Sequence, residues 1–138
     1  MNSHALQLTA ARSPRALTAL PVLTAVNASL YLGAALLHLG VRVPLGFATL
    51  AFPGPIPPAA IAEGLIGGLL ALASGALLVR GRAARDWAWR AYAFALLGTL
   101  FGLTIVLLRQ LGGPDLGVHF VMLAGLAAGF SLLAASRR

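Results

Sequence analysis

Apolar residues run along this chain in four long stretches, and the polar residues that interrupt them recur at helical spacings rather than in alternation. The first stretch spans about Ala16 to Leu39, roughly 24 residues or about 36 Å as a helix, which crosses a ~30 Å hydrocarbon core with some tilt. It is longer than the h-region of about 7–15 residues of a signal peptide, and Pro21 falls in its first turns, where a missing amide is tolerated. The other stretches cover about Ala59 to Val79, Trp89 to Leu108 and Leu116 to Ala135. They predict an all-α fold: a polar tail over residues 1–15, then a single four-transmembrane-helix domain over 16–138, packed as an antiparallel up-and-down bundle.

The connections carry their own signals. Residues 40–58, GVRVPLGFATLAFPGPIPP, form the longest one. Its apolar part, Leu45 to Phe52, is too short to cross and is expected in the membrane interface or folded over the bundle as a lid. The PGPIPP part reads as a stiff turn. The segment RGRAARDWAWR reads as a loop whose Trp87 and Trp89, with Tyr92, belong at headgroup level. GGPD at 112–115 reads as a tight turn.

Composition agrees with a lipid solvent: 59% of residues are hydrophobic and only 13 of 138 are charged. Charge then orients the bundle. Arg12 and Arg15 precede the first stretch, Arg80, Arg82, Arg85 and Arg90 lie between the second and third, and Arg137 and Arg138 follow the fourth. Only Arg42 and Arg109 occupy the other side, where Glu63 and Asp115 balance them. The positive-inside rule places both termini in the cytoplasm. A net charge of +7 raises nucleic acid as a partner, but the arginines make no continuous basic face, so none is expected; anionic headgroups suit them better. The Ala, Gly, Leu and Arg bias points to a bacterial inner membrane. Absence of Cys and Lys excludes thiolate, iron–sulfur and Schiff-base chemistry.

Within lipid, helices associate through close backbone approach and interhelical hydrogen bonds. Small-xxx-small spacings occur at Gly64 and Gly68, Gly98 and Gly102, and Gly125 and Gly129. They serve packing within the bundle or a dimer face. Polar residues share faces: Thr24, Asn27, Tyr31 and His38 on the first helix, Glu63, Gly67 and Ser74 on the second, Tyr92, Thr99 and Gln110 on the third, His119 and Met122 on the fourth. Such faces should point inward.

Topology gathers His38, Glu63, Arg109, Gln110, Asp115 and His119 near one membrane face. In a structural reading, Glu63 pairs with Arg109 or Arg42 and Asp115 caps the fourth helix. In a functional reading these groups line an outward-facing pocket. His38 and His119 are then candidate metal ligands, with Glu63 or Met122 completing the set, or axial ligands of a haem. A quinone, a lipid or another small amphiphile would instead use His38, Tyr31 and Glu63 as hydrogen-bonding groups. Asn27 and Tyr31 are the polar groups nearest the middle of the first helix, and no carboxylate lies deep enough for proton-coupled export.

The stretch IAEGLIGGLLALASGALLVRGRA at 61–83, with Glu63, Gly67, Gly68, Gly75 and Arg80, resembles the second helix of the DoxX-like proteins, small four-helix bacterial membrane proteins. The resemblance implies a four-helix bundle and an association with membrane redox or quinone-linked chemistry.

The sequence leads to an expectation of a small non-catalytic integral membrane protein, an accessory or assembly subunit that packs on a membrane-protein partner or a second copy through its glycine faces. The alternative is a redox-linked binding protein whose pocket is built from His38, Glu63, Arg109 and His119 with Tyr31 and Asn27, holding a quinone, lipid, haem or metal. No nucleophile is paired with a positioned base, so catalysis by the chain alone is not expected.

Overall fold

A computed structural model describes residues 14–52, 54–79, 81–109 and 113–136, the first five by backbone alone. Arg12, Arg80, Gln110, Arg137, Arg138 and the side chain of Arg15 lie outside the described residues. Four helices dominate: α1 (Pro14–His38), α2 (Pro57–Val79), α3 (Arg82–Leu108) and α4 (Pro114–Ala135). All four are long and apolar enough to cross a membrane, with mean hydropathy between 1.7 and 2.2 over their candidate spans, as in a multi-pass membrane protein.

Local chemistry sets the helix starts. α2 opens on Pro57 and Pro58 and α4 on Pro114, where a missing amide costs nothing and the fixed φ suits the first turn. Gly113 turns the chain into α4 with φ of 80°, a left-handed conformation that glycine adopts without strain. α3 begins at Arg82, seven residues before the expected Trp89, so the arginine-rich segment is its first two turns rather than a loop. Arg and Ala are strong helix formers, and an apolar pattern alone cannot register a helix start written in them.

Each helix packs against its neighbour in sequence, α1 closes the ring against α4, and the α1–α2 contact is the most extensive. Antiparallel neighbours follow from the pairs that meet: Ser74 near the end of α2 donates to the Pro21 carbonyl near the start of α1 (2.8 Å), and His38 at the end of α1 meets Glu63 near the start of α2. Five helical glycines are filled from within. A methyl group at Gly67 would lie 2.8 Å from Leu32, one at Gly98 2.6 Å from Ile66, and one at Gly102 2.7 Å from His119. At Gly125 it would overlap the Asn27 amide, and at Gly129 the Tyr92 ring. The spacings on α3 and α4 therefore serve packing inside the bundle, while Gly68 on α2 faces open space.

Buried polar groups join α1 to α3 in rungs. Tyr92 is fully buried and turns into the bundle, whereas Trp87 is exposed. Thr24 donates to the Leu20 carbonyl (2.8 Å), which leaves its oxygen to accept from the Tyr92 hydroxyl (3.1 Å). Asn27 Nδ2 donates to Tyr92 Oη (3.2 Å) and to the Gly125 carbonyl of α4 (3.0 Å). One level up, Thr99 donates to the Ala95 carbonyl (2.7 Å) and accepts from the Tyr31 hydroxyl. Without water, these partners are what make such groups tolerable in a membrane interior.

The α1–α2 connection departs from an apolar segment lying flat. It folds into a miniature hairpin of β1 (Val43–Pro44) and β2 (Thr49–Leu50), with Val43 opposite Leu50 and Pro44 opposite Thr49. Leu45 donates to the Ala48 carbonyl (2.7 Å) across a turn in which Gly46 has φ of 81°. Phe47 stands 95% exposed at the tip, while Phe52 turns back and is buried. The lid expectation thus holds for one residue of the segment.

Candidate functional site

Four elements bring ionisable side chains to the hairpin end of the bundle. His38 comes from the last turn of α1 and is 2% exposed; Glu63 comes from the second turn of α2 and is also buried. Asp115 lies in the first turn of α4, and His119 one turn later shares its face. Arg109 follows the end of α3, exposed at the rim.

His38 Nδ1 lies 2.7 Å from Glu63 Oε2, a charge-assisted contact in which the ring N–H donates to the carboxylate. Its Nε2 faces Asp115 Oδ1 at 3.7 Å. His119 Nδ1 lies 3.0 Å from the Asp115 backbone carbonyl and 3.3 Å from Oδ1 of the same residue. A carbonyl only accepts, so Nδ1 carries a proton in this contact. Phe52 stacks obliquely on the His38 ring, with centroids 4.5 Å apart and planes at 47°. The Ile56 amide donates to the His38 carbonyl (2.7 Å), tying the connection down beside it.

Two structural expectations are corrected. Glu63 pairs with His38, whereas neither Arg109 nor Arg42 makes an ion pair among the described residues. An arginine at the surface keeps its hydration, and His38 reaches the buried carboxylate from an adjoining helix without that loss. Asp115 makes no capping bond at Gly113; it turns to the two histidines, with its charge near the positive end of α4.

Beneath this cluster lies a cavity of about 280 Å³. His38, Glu63, Arg109, Asp115, His119 and Tyr31 contribute its polar lining, while Ile66, Ile105, Val106 and Met122 are among its apolar walls. Of the sequence candidates, only Asn27 lies elsewhere, in the rung with Tyr92. No family model, curated protein or solved structure matches this chain.

Among the described residues, no group of three or more His, Cys, Asp and Glu side chains is arranged to hold a metal ion. The two histidines converge on a carboxylate oxygen, a geometry of hydrogen bonding rather than of axial ligation across an iron. Large apolar walls with a few convergent polar groups are the makeup of a small-molecule site.

Several contributors carried no sequence signal. Phe52 looked like one more apolar loop residue, and Gly102 like half of a packing motif, yet the absent side chain at Gly102 leaves room for His119 at the cavity wall. Loss of the Phe52 ring should loosen the strap: in Phe52→Ala, hydrogen exchange at the Ile56 amide should quicken at least tenfold, while amides in the middle of α2 keep their wild-type rates. Unchanged exchange at Ile56 would mean that the hairpin holds itself.

Proposed function

We propose that this chain is a multi-pass protein of a bacterial inner membrane, with both termini cytoplasmic, that binds a small amphiphile of the quinone or lipid class in the cavity at the hairpin end of its bundle. The observation that carries this reading is the cavity itself: about 280 Å³, apolar for most of its wall, with two carboxylates and two imidazoles gathered at one end. An amphiphile has that same division between body and head. The arginine distribution supports the orientation, and the DoxX-like resemblance of residues 61–83 is in keeping with a quinone-linked role. An assembly role draws on the glycine faces, of which Gly67, Gly98, Gly102, Gly125 and Gly129 are occupied by side chains of the same chain while Gly68 and Gly75 stay open. The cavity is the more complete feature, and binding is the stronger reading.

Gly102→Leu tests it, because a Cβ there would lie 2.7 Å from His119 Nε2 and the added side chain must push that ring and itself into the cavity. Wild-type protein purified in mild detergent should carry an amphiphile detectable by native mass spectrometry, and Gly102→Leu should lose most of it. Equal recovery from both proteins would place the molecule on the lipid-facing surface and overturn the reading. A Soret band or stoichiometric metal that disappears in His38→Ala would replace the amphiphile by a haem or metal.

A further inference from the structure

The hydrogen-bond directions around the cavity are fixed by bonds already made, and they leave one kind of group pointing inward. Tyr31 donates its only hydroxyl proton to Thr99, whose own proton is committed to the Ala95 carbonyl. Its oxygen is left with lone pairs alone. Glu63 uses Oε2 toward His38, and Oε1 has no partner among the described residues. Asp115 Oδ1 is buried without a hydrogen-bond partner. His119 turns its Nε2 edge onto α3 at Gly102. His38 has its Nδ1 proton on Glu63 and its ring covered by Phe52. Three acceptors thus border the cavity, on Tyr31, Glu63 and Asp115, and the Arg109 guanidinium, which only donates, is exposed at its rim.

We infer that the cavity selects a head group that donates hydrogen bonds, and so takes a quinol in preference to the quinone formed from it by oxidation. This rests on the reading that the cavity binds an amphiphile. A quinone presents two carbonyl oxygens, which accept only, and would set lone pairs against lone pairs at every inward group. The quinol presents two hydroxyls over the same ring and tail. Its protons satisfy Asp115 Oδ1 and one further acceptor, and buried acceptors left without a donor are costly. A single alcohol satisfies fewer of the three. An ammonium head would also donate, but it would meet the Arg109 guanidinium at the rim on its way in.

The test measures dissociation constants of decylubiquinol and decylubiquinone for the full chain in nanodiscs, under anaerobic conditions. The quinol should bind at least about tenfold more tightly, since one hydrogen bond to a charged group is worth that much. Tenfold preference raises the two-electron midpoint potential of the bound pair by about 30 mV, a second readout on the same sample. Asp115→Asn, which turns an acceptor into a group that can also donate, should narrow the ratio by strengthening quinone binding. Equal affinities, or tighter binding of the quinone, would overturn the inference and leave amphiphile binding intact. Failure of both probes to bind would overturn the quinone reading of the cavity. Tighter binding of decylamine than of the quinol would show that charge, not hydroxyl donation, is selected. The wild-type comparison decides these points even if Asp115→Asn does not fold.

Discussion

Gly129→Leu is expected to abolish the folded bundle in detergent. A Cβ at this position overlaps the ring of Tyr92, which is fully buried and has nowhere to go: Phe130 packs against one side, and its hydroxyl is held by Thr24 and Asn27. Gly129→Ala should already cost about 1–3 kcal/mol by overpacking. Tyr92→Ala alone should cost about 3–5 kcal/mol, because it empties a packed site and strips partners from Thr24 and Asn27. The double variant Tyr92→Ala with Gly129→Ala should be no less stable than Tyr92→Ala, since the added methyl then meets open space. Unfolding in mixed micelles measures the cycle. Additive losses would show that the two helices do not meet through this pair.

The second large effect concerns the His38–Glu63 pair. Glu63→Leu leaves the buried His38 Nδ1–H without an acceptor, for a loss of about 2–3 kcal/mol, and Glu63→Gln should recover part of it because an amide oxygen still accepts. The double replacement His38→Leu with Glu63→Leu should return close to wild-type stability, because removing both partners of a buried pair leaves nothing unsatisfied. What it should not restore is the amphiphile. A stable but empty double variant separates the pair's contribution to packing from its contribution to binding. A stable variant that still holds the molecule would assign the pair to packing alone.

Much of this was legible in the residues, for reasons that also mark where legibility stops. Four apolar runs of spanning length can only be helices in lipid, and two parallel facts, run length and loop length, bring His38, Glu63, Asp115 and His119 to one end. Pairing within that end was not legible. Charge alone matches Glu63 with an arginine, whereas the structure matches it with the imidazole that the adjoining helix places 2.7 Å away. The partners of Tyr92 were hidden for a related reason. Its inward turn depends on the space opened by Gly129 on another helix, which the run around Trp87 and Trp89 does not announce. The hairpin had no strand pattern to announce it: each strand is two residues long. Its landmark, Phe52 on His38, joins residues whose neighbourhood depends on the path of the loop.

The rungs that cross the bundle have a spacing of their own. On α1 they start from Thr24, Tyr31 and His38, and on α3 the first two end at Tyr92 and Thr99, so each step is seven residues, about 10.5 Å along a helix. Seven is the period at which a left-handed supercoil keeps one seam facing its partner. It makes the set of rungs a vernier. Were α1 to slip by four residues, Ala28, Ala35 and Arg42 would stand where Thr24, Tyr31 and His38 now stand, and neither rung to α3 would close, leaving only Arg42 opposite Glu63. A single error of register is thus read twice over at α3, and the slipped register, apolar and otherwise acceptable to the lipid, loses both bonds.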